Sequence, residues 1–147
     1  MDRKSGVALL AARLGLWIIF LMSGLGKIAG WSGTVAYAGS KGVPEILLAG
    51  AVALEILGGI SVLAGWKTRW GVAALLAFLA PVTVLFHGFW GYQGAEVQLQ
   101  MIQFLKNVSI AGGLLALGAA GPGAISVDAR AARAAAANAP AAARAAA

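Results

Sequence analysis

Four long apolar runs, separated by short polar or glycine-rich segments, dominate the pattern of the chain. They extend from about Val7 to Ile28, Glu45 to Gly65, Trp70 to Phe89 and Leu99 to Ala120. About 20 apolar residues, each rising about 1.5 Å in a helix, cross the ~30 Å hydrocarbon core of a bilayer. Lipid offers no hydrogen-bond partners, so each run has to satisfy its backbone internally as a helix. The punctuation agrees with these limits. Pro44 sits where the first turn of a helix tolerates a missing N–H, Trp66 to Arg69 makes a tight polar turn, and Gly121-Pro122-Gly123 stops the last run. The first run is too long for a removable signal peptide, is interrupted by Arg13 and lacks a cleavage-like exit, so it is read as a retained helix. The pattern therefore predicts an all-α membrane protein, a four-transmembrane-helix bundle over residues 1–128. Residues 129–147 form a tail rich in alanine and arginine. Alanine favours helix locally, but the tail has no second apolar face to pack, and it is expected to be a disordered, cytoplasmic extension. No internal repeat points to an inverted-repeat transporter.

Composition narrows the function. Of 147 residues, 61% are hydrophobic and 11% charged, and the mean hydropathy is +0.86; this is less than half the charge that coats a water-soluble domain. Little chain remains outside the four runs, which excludes an extramembrane catalytic domain. The absence of cysteine removes thiolate nucleophiles, disulfide relays, iron–sulfur clusters and cysteine zinc sites. A single histidine rules out paired-histidine haem ligation within one chain and argues against a catalytic metal; no metal, haem or flavin motif is present. The net charge of +6 lies in flanks and loops rather than on a basic stripe, so nucleic acid is not an expected partner. Arg3, Lys4, Lys67, Arg69, Arg130, Arg133 and Arg144 fall on the side of both termini, and Lys41 alone on the other. Positive flanks stay cytoplasmic in short-looped membrane proteins, so both termini are expected inside.

Within the spans, Arg13, Lys27, Glu55, His87 and Lys106 are the ionisable groups that need a partner or a task, because each costs about 3 kcal/mol at a helix centre. Measured from the cytoplasmic ends at about 1.5 Å per residue, they lie at depths of roughly 9, 30, 15, 25 and 20 Å, in that order. Helical spacing places Arg13 and Lys27 on one stripe of the first span and flanks Glu55 with the small residues Ala51, Gly58 and Gly59. Thr83 and His87 align on the third span, and Gln103 and Lys106 on the fourth, with Gln100 and Asn107 alongside. Such seams turn inward in a bundle. Glu55 is open to pairing with Arg13 or with Lys106, a structural lock that requires no ligand. One carboxylate cannot neutralise three cations, however, and the surplus invites an anion, a polarised carbonyl or a quinone oxygen. Lys27 has a second option, snorkelling to the outer interface.

The ordered set Arg13-Leu14-Gly15, Ser23-Gly24-Leu25-Gly26-Lys27, Lys41 to Pro44, Glu55 to Gly59, Gly65 to Arg69, His87, Lys106-Asn107 and Gly121 to Asp128 resembles the DoxX family. The resemblance implies a small bacterial inner-membrane four-helix protein, related in pattern to the membrane subunit of thiosulfate:quinone oxidoreductase and to proteins linked with quinones or oxidative stress. The Ala- and Arg-rich tail lies outside that pattern. Two functions are carried forward. In the first, the chain is a quinone-reactive or redox-associated membrane subunit whose Lys27, Glu55, His87, Lys106 and Asn107 bind a quinone or small carbonyl ligand between the helices, while a soluble redox partner supplies electrons. In the second, it is a non-enzymatic anchor or scaffold for a soluble oxidoreductase, its seam fixing only the packing. Small-residue faces are also compatible with a homodimer.

Overall fold

The computed structural model describes residues 3–138, which form helices and connecting turns with no strand among them. Helix α1 covers Arg3–Ala29, α2 Trp31–Ser40, α3 Glu45–Ala64, α4 Thr68–His87, α5 Ala95–Ala120 and α6 Val127–Asn138, with a 3-10 turn at Phe89–Gly91. The four helices long and apolar enough to cross a membrane are α1, α3, α4 with its 3-10 extension, and α5. They match the four apolar runs, and the polar stretch expected to precede the fourth span joins α5 from Ala95 onward.

The helices pack in sequence as antiparallel neighbours, α1 on α3, α3 on α4 and α4 on α5, with α5 returning against α1. Small residues set the spacing. A Cβ on Gly24 would stand 2.7 Å from Ile56 Cγ1, and one on Gly58 would stand 2.9 Å from Leu75 Cγ; backbones approach this closely only where side chains are missing. Phe20, Val62, Leu75 and Leu114 lie in the core so formed, and Phe20 meets Phe78 edge to face with ring centroids 6.3 Å apart. Ile18, Leu57, Leu105 and Leu115 remain exposed around the bundle, as expected of a surface whose solvent is hydrocarbon.

Both ends of the bundle carry structure between the spans. At the loop end, α2 occupies the segment 29–43 and buries Ala38 against Leu48 and Val52. At the terminal end, Gly6 of α1 lies beside Ala124, so the start of α1 and the segment after α5 meet. Where disorder was expected beyond residue 128, α6 continues as a helix to Asn138, its side chains largely exposed; the rest of the tail lies outside the described residues.

Candidate ligand-binding cleft

The loop half of the bundle encloses a cleft of about 1080 Å³. Its walls are chiefly apolar and come from α1, α2, α3, α4 and α5, and Lys27, Glu55, His87, Lys106 and Asn107 all line it. The five candidate ligand residues are thus brought to one space. Its rim includes Met22, Leu47, Leu54 and Leu85, which are exposed on the outer surface of the bundle.

The register of α1 and α3 decides what Glu55 pairs with. Gly24 lies opposite Ile56 and Glu55, while Gly59 faces Phe20 and Trp17, so Lys27 stands only one turn above the carboxylate. Helical side chains lean toward the N-terminus of their helix, which points the Lys27 stem down into the bundle. Its Nζ donates to Glu55 Oε2 at 2.8 Å and to Ser23 Oγ and lies 5.5 Å from the centroid of the Phe78 ring. Glu55 is 1% exposed and Lys27 25%. Snorkelling of Lys27 to the interface is therefore not observed, and neither of the partners expected for Glu55 is used.

Arg13 is a correction of the same kind. It is 2% exposed and lies near the end of α3, too far down the bundle for Glu55. Its Nε donates to the carbonyls of Val62 at 3.0 Å and Leu63 at 3.2 Å, Nη2 also donates to Leu63, and Nη1 donates to Pro122 and Ile125, both at 2.7 Å. The last carbonyls of a helix have no partner within it, and the guanidinium fork, with five donors in fixed geometry, satisfies those of α3 while holding the 122–125 segment. Arg13 is a clamp on backbone, not half of an ion pair with Glu55.

The other polar groups of the cleft are less completely used. His87 Nδ1 lies 2.9 Å from Gln100 Oε1; with that oxygen as acceptor the proton sits on Nδ1, and Nε2 is left as an acceptor. The Lys106 amine donates to Gln103 Oε1 on its own helix, and Lys27 with Glu55 is the one salt bridge among the described residues. Asn107 is 7% exposed. Ser23, Thr34 and Tyr37 also line the cleft; the sequence pattern gave α2 no role in the site, because a ten-residue helix rich in Gly and Ser carries no spanning signal.

Two contacts tie the loop end together. Trp31 Nε1 donates to Glu45 Oε1 at 2.9 Å, and Lys41 Nζ donates to the Tyr92 hydroxyl at 3.1 Å, a bond that raises the Lys41 pKa above the ordinary lysine value. At the terminal end, Asp128 Oδ1 accepts from Lys67 N at 2.8 Å, and Oδ2 accepts from Thr68 N at 3.2 Å and Thr68 Oγ1 at 3.1 Å. The carboxylate caps α4 from outside that helix. Burial opposes its ionisation, but these bonds and the nearby Arg13 guanidinium together hold the Asp128 carboxyl below the usual range.

The sequence profile of the DoxX family matches residues 8–88, the stretch that contains Arg13, Lys27, Glu55 and His87. The chain belongs to the DoxX family. It is 40% identical over 126 residues to inner membrane protein YphA of Escherichia coli, covering 84% of this chain and 90% of that one. Inner membrane protein YqjF of the same organism is 36% identical over 128 residues, covering 87% and 95%. CatD of Bacillus subtilis, whose name includes the word oxidoreductase, is 35% identical over 69 residues, covering 47% of this chain and 52% of that one. No solved structure matches the chain. The four apolar helices and the two inner-membrane relatives support a multi-pass protein of the bacterial inner membrane. The resemblance read from the ordered motifs is thus upheld, and the DoxX profile spans the α1, α3 and α4 walls of the cleft.

Proposed function

We propose that this DoxX-family protein binds a quinone or another small carbonyl ligand in the cleft, as a redox-associated component of the inner membrane, with both termini cytoplasmic. The observation that carries the reading is the convergence of Lys27, Glu55, His87, Lys106 and Asn107 on one apolar-walled space of about 1080 Å³. Ligand sites have this form: a concave apolar pocket with a few polar groups that fix orientation. A volume of 300–1,000 Å³ is typical of such pockets, and this one lies just above that range, ample for a ring system. The Lys27, Lys106 and Asn107 donors suit carbonyl oxygens, and His87 Nε2 suits a hydroxyl. Quinones are dissolved in the bilayer, and the apolar rim at Met22, Leu47, Leu54 and Leu85 offers entry from that side. The chain has no cysteine, and with no flavin or haem motif either, electrons would come from a soluble partner; the name of CatD favours a redox context without fixing a reaction.

The test is photo-crosslinking of the purified protein with an azidoquinone, followed by peptide mapping. Labelling of α3 and α5 peptides that excess unlabelled quinone suppresses supports the reading. Absence of labelling, or labelling confined to exposed lipid-facing positions, overturns it. A scaffold role is the second reading. It is favoured by the exposed basic residues Lys67, Arg69 and Arg130 at the terminal end, a surface on which a soluble partner could dock.

A further inference from the structure

We infer that Lys106 and Asn107 form an oxyanion subsite within the cleft, which selects a ligand whose head carries an acidic oxygen, an enolate or a carboxylate, over its neutral counterpart. This rests on the proposed reading of the cleft as a ligand site and specifies the chemistry of its occupant. The first observation is the charge balance. The cleft contains two ammonium groups and one carboxylate, and Glu55 is already committed to Lys27 at 2.8 Å. Lys106 is left with only the neutral oxygen of Gln103, although it lies in the middle of a membrane-spanning helix, where an ammonium without a counter-charge is costly.

The second observation is independent of charge. Asn107 is buried to all but 7% and lines the cleft beside Lys106, yet among the described residues its amide makes no hydrogen bond. No buried side-chain nitrogen or oxygen lacks a partner among the described residues, so the unpaired Asn107 amide is open to the cleft, where a ligand oxygen can reach it. Asn107, buried, and Lys106, exposed, both line the one cleft, and so offer it a neutral and a charged donor. Hydrogen bonds to an ionised oxygen are roughly twice as strong as those to a neutral one, and low dielectric widens the difference. Lys27, neutralised by Glu55, gives no such preference, so the selection belongs to Lys106.

The test uses a matched pair of probes, a 3-alkyl-2-hydroxy-1,4-naphthoquinone, ionised at pH 7, and its methyl ether, each titrated calorimetrically into the detergent-solubilised full-length protein against protein-free micelles. The wild type is expected to bind the acid about tenfold or more tightly than the ether, the scale of one charge-assisted hydrogen bond. Lys106→Gln should bring the ratio of acid to ether affinity down to about one, and Lys106→Arg should keep the preference. Asn107→Ala should weaken both probes. Equal binding of acid and ether by the wild type, or a preference that survives in Lys106→Gln, overturns the subsite while the cleft reading stands. Binding of neither probe by folded wild-type protein overturns the cleft reading, and the subsite with it. If Lys106→Gln does not fold, loss of the preference in folded Lys106→Arg overturns the subsite.

Discussion

Replacing Lys27 with Met would leave the Glu55 carboxylate 1% exposed with no cation beside it. Breaking a buried ion pair from one side costs about 3–5 kcal/mol, because the remaining charge keeps its desolvation penalty without its partner. Glu55→Leu is expected to cost less, about 1–2 kcal/mol. The reason is geometric: Lys27 is 25% exposed, and its flexible stem can carry the ammonium toward the interface, an option closed to Glu55. Removing both charges, as Lys27→Met with Glu55→Leu, should restore stability to within about 1 kcal/mol of the wild type, since apolar replacements of buried pairs are often neutral or better. The single costs should therefore exceed the double cost by at least about 2 kcal/mol, the range seen for residues in direct contact. Reversible unfolding in mixed micelles at neutral pH, titrated with a denaturing detergent, measures all four proteins on one scale. Single substitutions that simply add, or a Lys27→Met cost below about 1 kcal/mol, would refute the pairing and its asymmetry.

Arg13→Lys keeps the charge but provides three donors in place of a planar fork of five, stranding carbonyls among Val62, Leu63, Pro122 and Ile125; a loss of about 2–4 kcal/mol is expected in the same unfolding assay. Gly58→Ala places a Cβ 2.9 Å from Leu75 Cγ and 3.3 Å from Gly71 O and should cost about 1–3 kcal/mol, whereas Gly112→Ala meets nothing within 4 Å and should be neutral or stabilising by up to about 1 kcal/mol. Asp128 has its carboxyl pKa lowered in the folded protein, so its contribution is complete above the unfolded value of about 3.9 and is lost as pH falls through the lower folded value. A stability profile from pH 7 down to pH 2 should therefore drop more steeply for the wild type than for Asp128→Asn, and parallel profiles would contradict the capping role.

The spans were legible because hydrocarbon imposes a length and a composition that few other folds require, and α1, α3, α4 and α5 follow the apolar runs to within a few residues. The polar seam was legible for a related reason: an ionisable group in such a run has few acceptable directions. The pairing within the seam was not. Depth counted from span ends placed Lys27 well above Glu55, because counting assumes level helices and side chains that point straight out. The stagger of α1 against α3 and the lean of the Lys27 stem bring the two together. Arg13 was expected near a carboxylate because the sequence shows side-chain charges and hides the free carbonyls of a helix end, which are its actual partners. Asp128 was noted only as the end of a motif. Its cap on α4 joins residues 60 apart in the chain, a contact that no local spacing encodes. Helix α2 was hidden because its ten residues carry neither a spanning length nor a strong cap.

The most direct test of the central claim is native mass spectrometry of the protein after gentle solubilisation from its own membrane, with extraction and identification of any small molecule that co-purifies. The account predicts a quinone-class or related carbonyl compound at about one per chain, lost when Lys106 is replaced by Ala while the fold is retained. A bundle that carries nothing but lipid, unchanged by that substitution, would contradict it.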